Sequence, residues 1–340
     1  METVGNMWLW AGFFAFALAM IGVDLFLLGG RKAHKVSLRE AGAWSVAWVT
    51  LALLFCAGFW WYLDGAMGRD IANQKATEFL TGYLIEKSLA VDNIFVWLML
   101  FSYFAIPAEY QRRVLLFGVL GAIVMRTVMI LLGAWLLARF HWILYVFGAF
   151  LLFTGFKMAF FAEHEPNLEK NPVLRWMRGH LRITDKLEGE SFWVMKNGVR
   201  WFTPLFVVLV LVEITDLIFA VDSIPAIFAV TSDPFIVLTS NIFAILGLRA
   251  MYFLLADFAG RFSLLKYGLA AVLIFIGAKM LLLDVYKIPV SWSLMVVAVL
   301  IVSSVLASLW ITRNNKTAAR MQRRAIGDDK VTAGDGPGRA

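Results

Sequence analysis

Apolar residues in this chain come in long runs separated by short polar stretches. A helix that crosses a membrane needs about 20 mostly apolar residues. Nine runs qualify, at 7–29, 42–63, 79–106, 114–138, 141–161, 201–230, 234–256, 264–285 and 291–312. The pattern predicts an all-α polytopic membrane protein of about nine transmembrane helices, with residues 1–312 forming one transmembrane domain. The one long polar stretch inside it, 162–200, mixes acids and bases and reads as a solvated connector. Residues 313–340 are polar, basic and Gly-bearing, and predict a tail without fixed structure. No Lys or Arg precedes the first apolar run, so residues 1–30 do not read as a signal peptide.

Composition sharpens this picture. Hydrophobic types make up 61% and charged types 16%, with mean hydropathy +0.76. A soluble domain has about 45–50% apolar and about 25% charged residues, so a soluble enzyme or a nucleic-acid-binding module is excluded as the simplest reading. The net charge of +7 follows the loops instead. With the N-terminus outside, the inner segments hold 22 Lys and Arg and the outer ones four (Arg69, Lys75, Arg139, Lys287). Positive residues accumulate on the cytoplasmic side, which predicts N-out, C-in. Trp8, Trp10, Trp60, Trp61, Tyr62, Trp142 and Trp201 near span ends read as an interfacial belt.

Two stretches resemble each other. Glu86-Lys-Ser-Leu-Ala-Val-Asp92-Asn-Ile in the third span parallels Asp216-Leu-Ile-Phe-Ala-Val-Asp222-Ser-Ile in the sixth. Downstream, Arg126 answers to Arg249, and Gly155-Phe-Lys157-Met to Gly277-Ala-Lys279-Met. The spans of 79–161 and 201–285 therefore read as two copies of a three-helix unit. An odd number of spans inverts the second copy, and inverted repeats belong to transporters with a site near the bilayer midplane.

Six acidic residues fall in the interior of spans: Asp24, Glu86, Asp92, Glu213, Asp216 and Asp222. Each costs about 2.5–3.5 kcal/mol on insertion scales, so such residues mark ion paths or have partners. Deep bases are Lys87, Arg126 and Arg249, half as many as the acids. Protons or a bound cation must balance the excess. Glu86 and Asn93 are seven residues apart and share a helix face, as do Asp216 and Ser223, with Glu213 one turn earlier. Asp92 and Asp222 lie about 120° off that face. Pro225, which cannot donate to the carbonyl of Val221, predicts a helix break that would bring Asp222 round. Carboxylate, amide and hydroxyl oxygens would suit a hard cation such as Mg, Ca or Mn. The candidate metal ligands are thus Glu86, Asp92, Asn93, Glu213, Asp216, Asp222 and Ser223. Asp24, Lys87, Arg126, Arg249, Val221 and Pro225 are supporting or path residues. The competing structural reading is that the acids and Arg126 or Arg249 are buried ion pairs that set helix register.

Other features fit simpler roles. For Lys157 and Lys279 near span ends, snorkelling is at least as good a reading as a functional role. Gly118, Gly121 and Gly133 permit close helix packing, within the chain or with a second copy or another membrane protein. Cys56 is the one cysteine, so no internal disulfide forms. There is no phosphate-cradling Gly-Lys-Ser/Thr loop, and His164-Glu165 lacks the second His of a zinc protease. Transport would then be driven by gradients, and the chain is not expected to be an enzyme or to carry a resident cofactor.

Glu86-Lys-Ser-Leu-Ala-Val-Asp92-Asn-Ile-Phe-Val resembles the first signature of the TerC family of integral membrane proteins. Glu213, Asp216 to Pro225, Ser232-Asp-Pro234 and Thr239 to Phe253 resemble its second. The resemblance covers residues 1–312 and is strongest to the family's Alx branch. It implies a multi-pass bacterial inner-membrane protein, associated with manganese export and grouped by fold with LysE-type exporters. It also implies functional acids at Glu86, Asp92, Glu213, Asp216 and Asp222. Divalent manganese is the expected cargo. Two rival expectations are an exporter of small organic cations or amino acids, and a non-transporting partner that aids insertion or metal loading of other proteins.

Overall fold

The computed structural model describes residues 3–23, 37–140, 142–160, 171–256, 264–286, 288–308 and 310–311. Asp24 and the polar tail lie outside them. The described chain is mostly helical: α1 (Met7–Val23), α2 (Leu38–Met67), α3 (Arg69–Tyr103), α4 (Ala108–Arg139), α5 (Ile143–Phe160), α6 (Pro172–His180), α7 (Pro204–Phe228), α8 (Pro234–Leu246), α9 (Leu248–Ala256) and α10 (Leu265–Leu281). A further helix, α11, spans Val290–Ser308. Each of the nine apolar runs overlaps a described helix, and 234–256 overlaps two.

Five of these helices are long and apolar enough to cross a membrane, and six if the bent pair α8–α9 counts as one span. The others differ for local reasons. α1 and α10 have 17 described residues each. α3 is 35 residues long but is punctuated by Glu78, Glu86, Lys87 and Asp92. Its helix also starts ten residues before the expected span. Gly68, at φ 96°, makes the sharp turn from α2 that only glycine adopts cheaply.

Large apolar side chains point outward along the long helices, among them Val124, Val128 and Trp135 on α4, Phe153 and Phe156 on α5, and Val299 and Leu306 on α11. Exposed apolar faces of this extent require a non-aqueous neighbour, as expected of helices set in lipid. Inward-facing side chains form two apolar clusters. One includes Phe59, Phe79, Phe235 and Phe243, the other Trp97, Phe101, Leu205 and Tyr252.

Local chemistry explains the helix starts. Ser37 and Glu40 form a reciprocal capping box for α2. Asp233 caps α8, with Pro234 at the first helical position, and also accepts from Thr3 Oγ1 (2.8 Å) and the Val4 amide (2.9 Å). The 162–200 connector holds more structure than its composition suggests. Besides α6 it forms a hairpin, β1 (Trp193–Lys196) paired antiparallel with β2 (Val199–Phe202). Asn197 and Gly198 turn it with φ of 52° and 74°, the left-handed pair that a two-residue hairpin turn needs.

The expected helix break at Pro225 is corrected. α7 runs unbroken through Pro225 to Phe228. Pro225 is buried, so packing around it holds the helix despite the lost Val221 hydrogen bond. The break comes instead at Gly247, where α8 and α9 meet at 40°. A Cβ at Gly247 would press on Lys87 Nζ and the Trp48 side chain. Lys87 Nζ donates to the Ala244 carbonyl at 3.2 Å, placing a cation at the C-terminal end of α8.

The site is positioned by α3 and α4, which both pack on α7, with α8 against α3 and α5 against α10. Added Cβ atoms at Gly118, Gly121 and Gly133 of α4 would meet Val212, Glu213 and Phe228 of α7. The glycines therefore bring α4 close to α7 within one chain.

Candidate functional site

At the centre of α4, Arg126 reaches between α3 and α7. Its Nε and Nη2 donate to Asp216 Oδ2 and Oδ1 at 3.2 and 2.9 Å, a two-pronged grip on one carboxylate. Its Nη1 donates to Glu86 Oε1 and, at 3.3 Å, to Ser223 Oγ. Asn93 Nδ2 donates to Asp216 Oδ1 at 2.8 Å. All five residues are at most 1% exposed. The seven-residue spacings explain the convergence: Glu86 and Asn93 on one face of α3 meet Asp216 and Ser223 on one face of α7.

Two carboxylates here face one guanidinium, so with both ionised the cluster carries one negative charge more than its arginine balances. Two acceptors are also left over. Glu86 Oε2 and Asn93 Oδ1 are buried and receive no hydrogen bond. A buried unpaired acceptor costs about 1–3 kcal/mol, more when charged. Both residues line a cavity of about 280 Å³, together with Arg126, Thr154, Lys157, Asp222 and Ser223.

The predicted ligands do not all gather. Among the described residues, no three of His, Cys, Asp and Glu come together as a ready metal cage. Glu86, Asn93, Asp216 and Ser223 meet around Arg126. Asp222 is half-buried on the cavity wall and accepts from Thr154 Oγ1 at 3.2 Å. Glu213 is half-buried against Gly121, whose missing side chain makes its room. The Asp92 side chain lies outside what the structure describes. Arg249 is buried on α9. The sequence reading missed Thr154, which stands next to the repeated Gly-x-Lys-Met motif. Lys157, exposed in the last turn of α5, also lines the cavity.

Residues 71–316 match the integral membrane protein TerC family. The chain belongs to the TerC family. It is 59% identical over 322 residues to a Salmonella typhi protein named membrane-bound redox modulator Alx, covering 95% of this chain and all of that one. The Escherichia coli K12 protein of the same name is 61% identical over 311 residues, covering 92% of this chain and 97% of its own length. A Myxococcus xanthus membrane protein, STKORF319, is 50% identical over 321 residues, or 94% of this chain and 98% of that one. No solved structure matches. As a TerC-family protein with several apolar helices, the chain is an integral membrane protein, and its buried polar cluster lies among the helices that define the family match.

Proposed function

We propose that this TerC-family chain is a secondary transporter that exports divalent manganese from the cytoplasm across the bacterial inner membrane, coupled to protons. The observation that carries this reading is the pair of orphaned acceptors, Glu86 Oε2 and Asn93 Oδ1, beside a cavity also lined by Asp222, Thr154 and Ser223. These are hard oxygen donors with surplus negative charge, the combination that suits Mn, Mg or Ca. The family resemblance supplies manganese and the outward direction.

In this reading Arg126 stays on Asp216, fixing α4 to α7, while the cation takes the unused oxygens of Glu86 and Asn93 and draws in Asp222. When the ion leaves, the surplus negative charge must be covered again, and protons on Glu86 or Asp222 do so. Proton movement against metal movement follows from that charge balance.

Nine spans, N-out, and an inverted repeat are part of the same proposal. The ends of α4, α7 and α10 and the starts of α3, α5 and α11 meet around one cavity, as alternating spans would. Packing supports the repeat. α3 and α7 hold the site together, and Gly148 and Gly155 of α5 approach α10 just as Gly277 of α10 approaches α5. The relatives' name speaks of redox modulation. With Cys56 as its one cysteine, this chain would act on redox state through the metal content it sets.

The test is manganese flux in liposomes holding the purified full-length chain. Wild type carries Mn2+, and Glu86→Gln and Asp222→Asn, which keep side-chain shape, abolish it. Flux at the wild-type rate in either variant contradicts the reading.

A further inference from the structure

A second cavity, of about 650 Å³, opens at the end of the bundle where α4, α7 and α10 finish. Small-molecule sites have volumes of about 300–1,000 Å³. Its wall is mainly apolar, with Leu137, Leu144 and Leu283 among the side chains that form it. Among the described residues, one charged side chain lines it, Lys279, and no carboxylate does. The exposed Ser232 and Tyr286 add hydroxyls.

Lys279 does not snorkel. A snorkelling lysine keeps its ammonium in water, but Lys279 is 7% exposed. An ammonium has three N–H donors. One goes to Ser293 Oγ at 2.9 Å, the one hydrogen bond of Lys279 among the described residues. The buried acid outside the wall, Glu78, is already taken. Its Oε1 accepts from Gln74 Nε2 at 2.8 Å, and its Oε2 from Thr231 Oγ1 at 2.7 Å and Lys75 Nζ at 3.0 Å. Lys75 thus answers the Glu78 charge, and Lys279 keeps two donors and a positive charge in an apolar surround. Burying a charge without a partner is costly. A lysine in the last turn of α10 also suits that helix end's dipole, but a dipole alone leaves both donors unexplained.

We propose that this cavity binds an anionic phospholipid, with the headgroup phosphate on Lys279 and the start of an acyl chain along Leu137, Leu144 and Leu283. The wall excludes the other classes of occupant. A metal ion would meet an ammonium and no carboxylate, and an uncharged apolar molecule would leave the ammonium unpaired. An anion with an apolar body satisfies both parts of the wall, and a chain set in lipid has such molecules beside it. Basic pockets between membrane helices bind anionic headgroups in this way, through charge-assisted hydrogen bonds to phosphate oxygens. The lipid would join the ends of α4 and α10 to the start of α5, which all line the cavity. This site is independent of the Arg126 cluster and of the export reading.

Headgroup selectivity is a readout that a merely structural lysine does not move. Native mass spectrometry of the full-length chain, offered phosphatidylglycerol, phosphatidylcholine with the same acyl chains, or inorganic phosphate, measures it. Wild type should retain phosphatidylglycerol in preference to phosphatidylcholine, and should not retain inorganic phosphate. Lys279→Met should weaken the tightest-bound phosphatidylglycerol about tenfold or more, while Lys279→Arg keeps it. Ala138→Trp fills the apolar part of the cavity, leaves Lys279 in place, and should also weaken it; this variant carries the test if Lys279→Met does not fold. Equal retention of the two lipids by wild type would overturn the proposal. So would a phosphatidylglycerol preference unchanged in Lys279→Met or in Ala138→Trp. Inorganic phosphate held as tightly as phosphatidylglycerol would make this a site for the free anion and overturn the lipid assignment.

Discussion

Four acids on α3 and α7 that read alike in the sequence divide into two environments. Glu86 and Asp216 are fully buried and share Arg126. Glu213 and Asp222 are half-buried, one against Gly121 and the other facing a cavity with a threonine hydroxyl. The buried pair is wired into helix register, as the ion-pair reading expected. The unpaired Glu86 Oε2 and the second carboxylate beside one arginine are what that reading leaves unexplained. The half-buried pair can change partners at little cost to the fold. One cluster thus fixes three helices while leaving two buried acceptors, Glu86 Oε2 and Asn93 Oδ1, unused, and mutation should separate the fold role from the proposed transport role.

The sharpest separation comes from Arg126→Met. It strands two buried carboxylates and should lower stability by about 3–5 kcal/mol, read as a large drop in thermal unfolding temperature in detergent. Asp216→Asn keeps the shape but halves the grip on the guanidinium. A loss of about 1–3 kcal/mol is expected in the same measurement. Gly121→Ala pushes a methyl into the Glu213 carboxylate and should cost about 1–3 kcal/mol through overpacking. Asp222→Asn should leave stability within about 1 kcal/mol, because among the described residues it accepts a hydrogen bond from a hydroxyl, Thr154 Oγ1, while abolishing Mn2+ flux. Smallest is Arg69→Ala, which breaks a mostly exposed pair with Asp64 and should change stability by about 0.2–1 kcal/mol. If Asp222→Asn destabilised as much as Asp216→Asn, the division would collapse.

Much of this was legible in the chain. Apolar run length located the helices, since lipid admits little else. The seven-residue spacings brought Glu86 and Asn93 to Asp216 and Ser223, because a helix fixes which residues share a face. Side-chain reach was not legible: nothing in spacing says that Arg126 bridges both acids while Asp222 turns to Thr154. Helix breaks were misread because they depend on neighbours. Pro225 is held straight by close packing, and Gly247 bends where Lys87 and Trp48 crowd it. The Glu78 network joins residues 153 positions apart, beyond any local pattern. The hairpin at Asn197-Gly198 was readable from its turn residues but was hidden in a charged connector.

The central claim is that buried negative charge in excess of its arginine takes a divalent cation outward. Total cellular manganese, measured by elemental analysis in cells making the wild-type chain or Glu86→Gln at equal membrane levels, tests it most directly. The account predicts that wild type lowers manganese and leaves magnesium and calcium unchanged, and that Glu86→Gln lowers none. Equal manganese in the two cultures would contradict it.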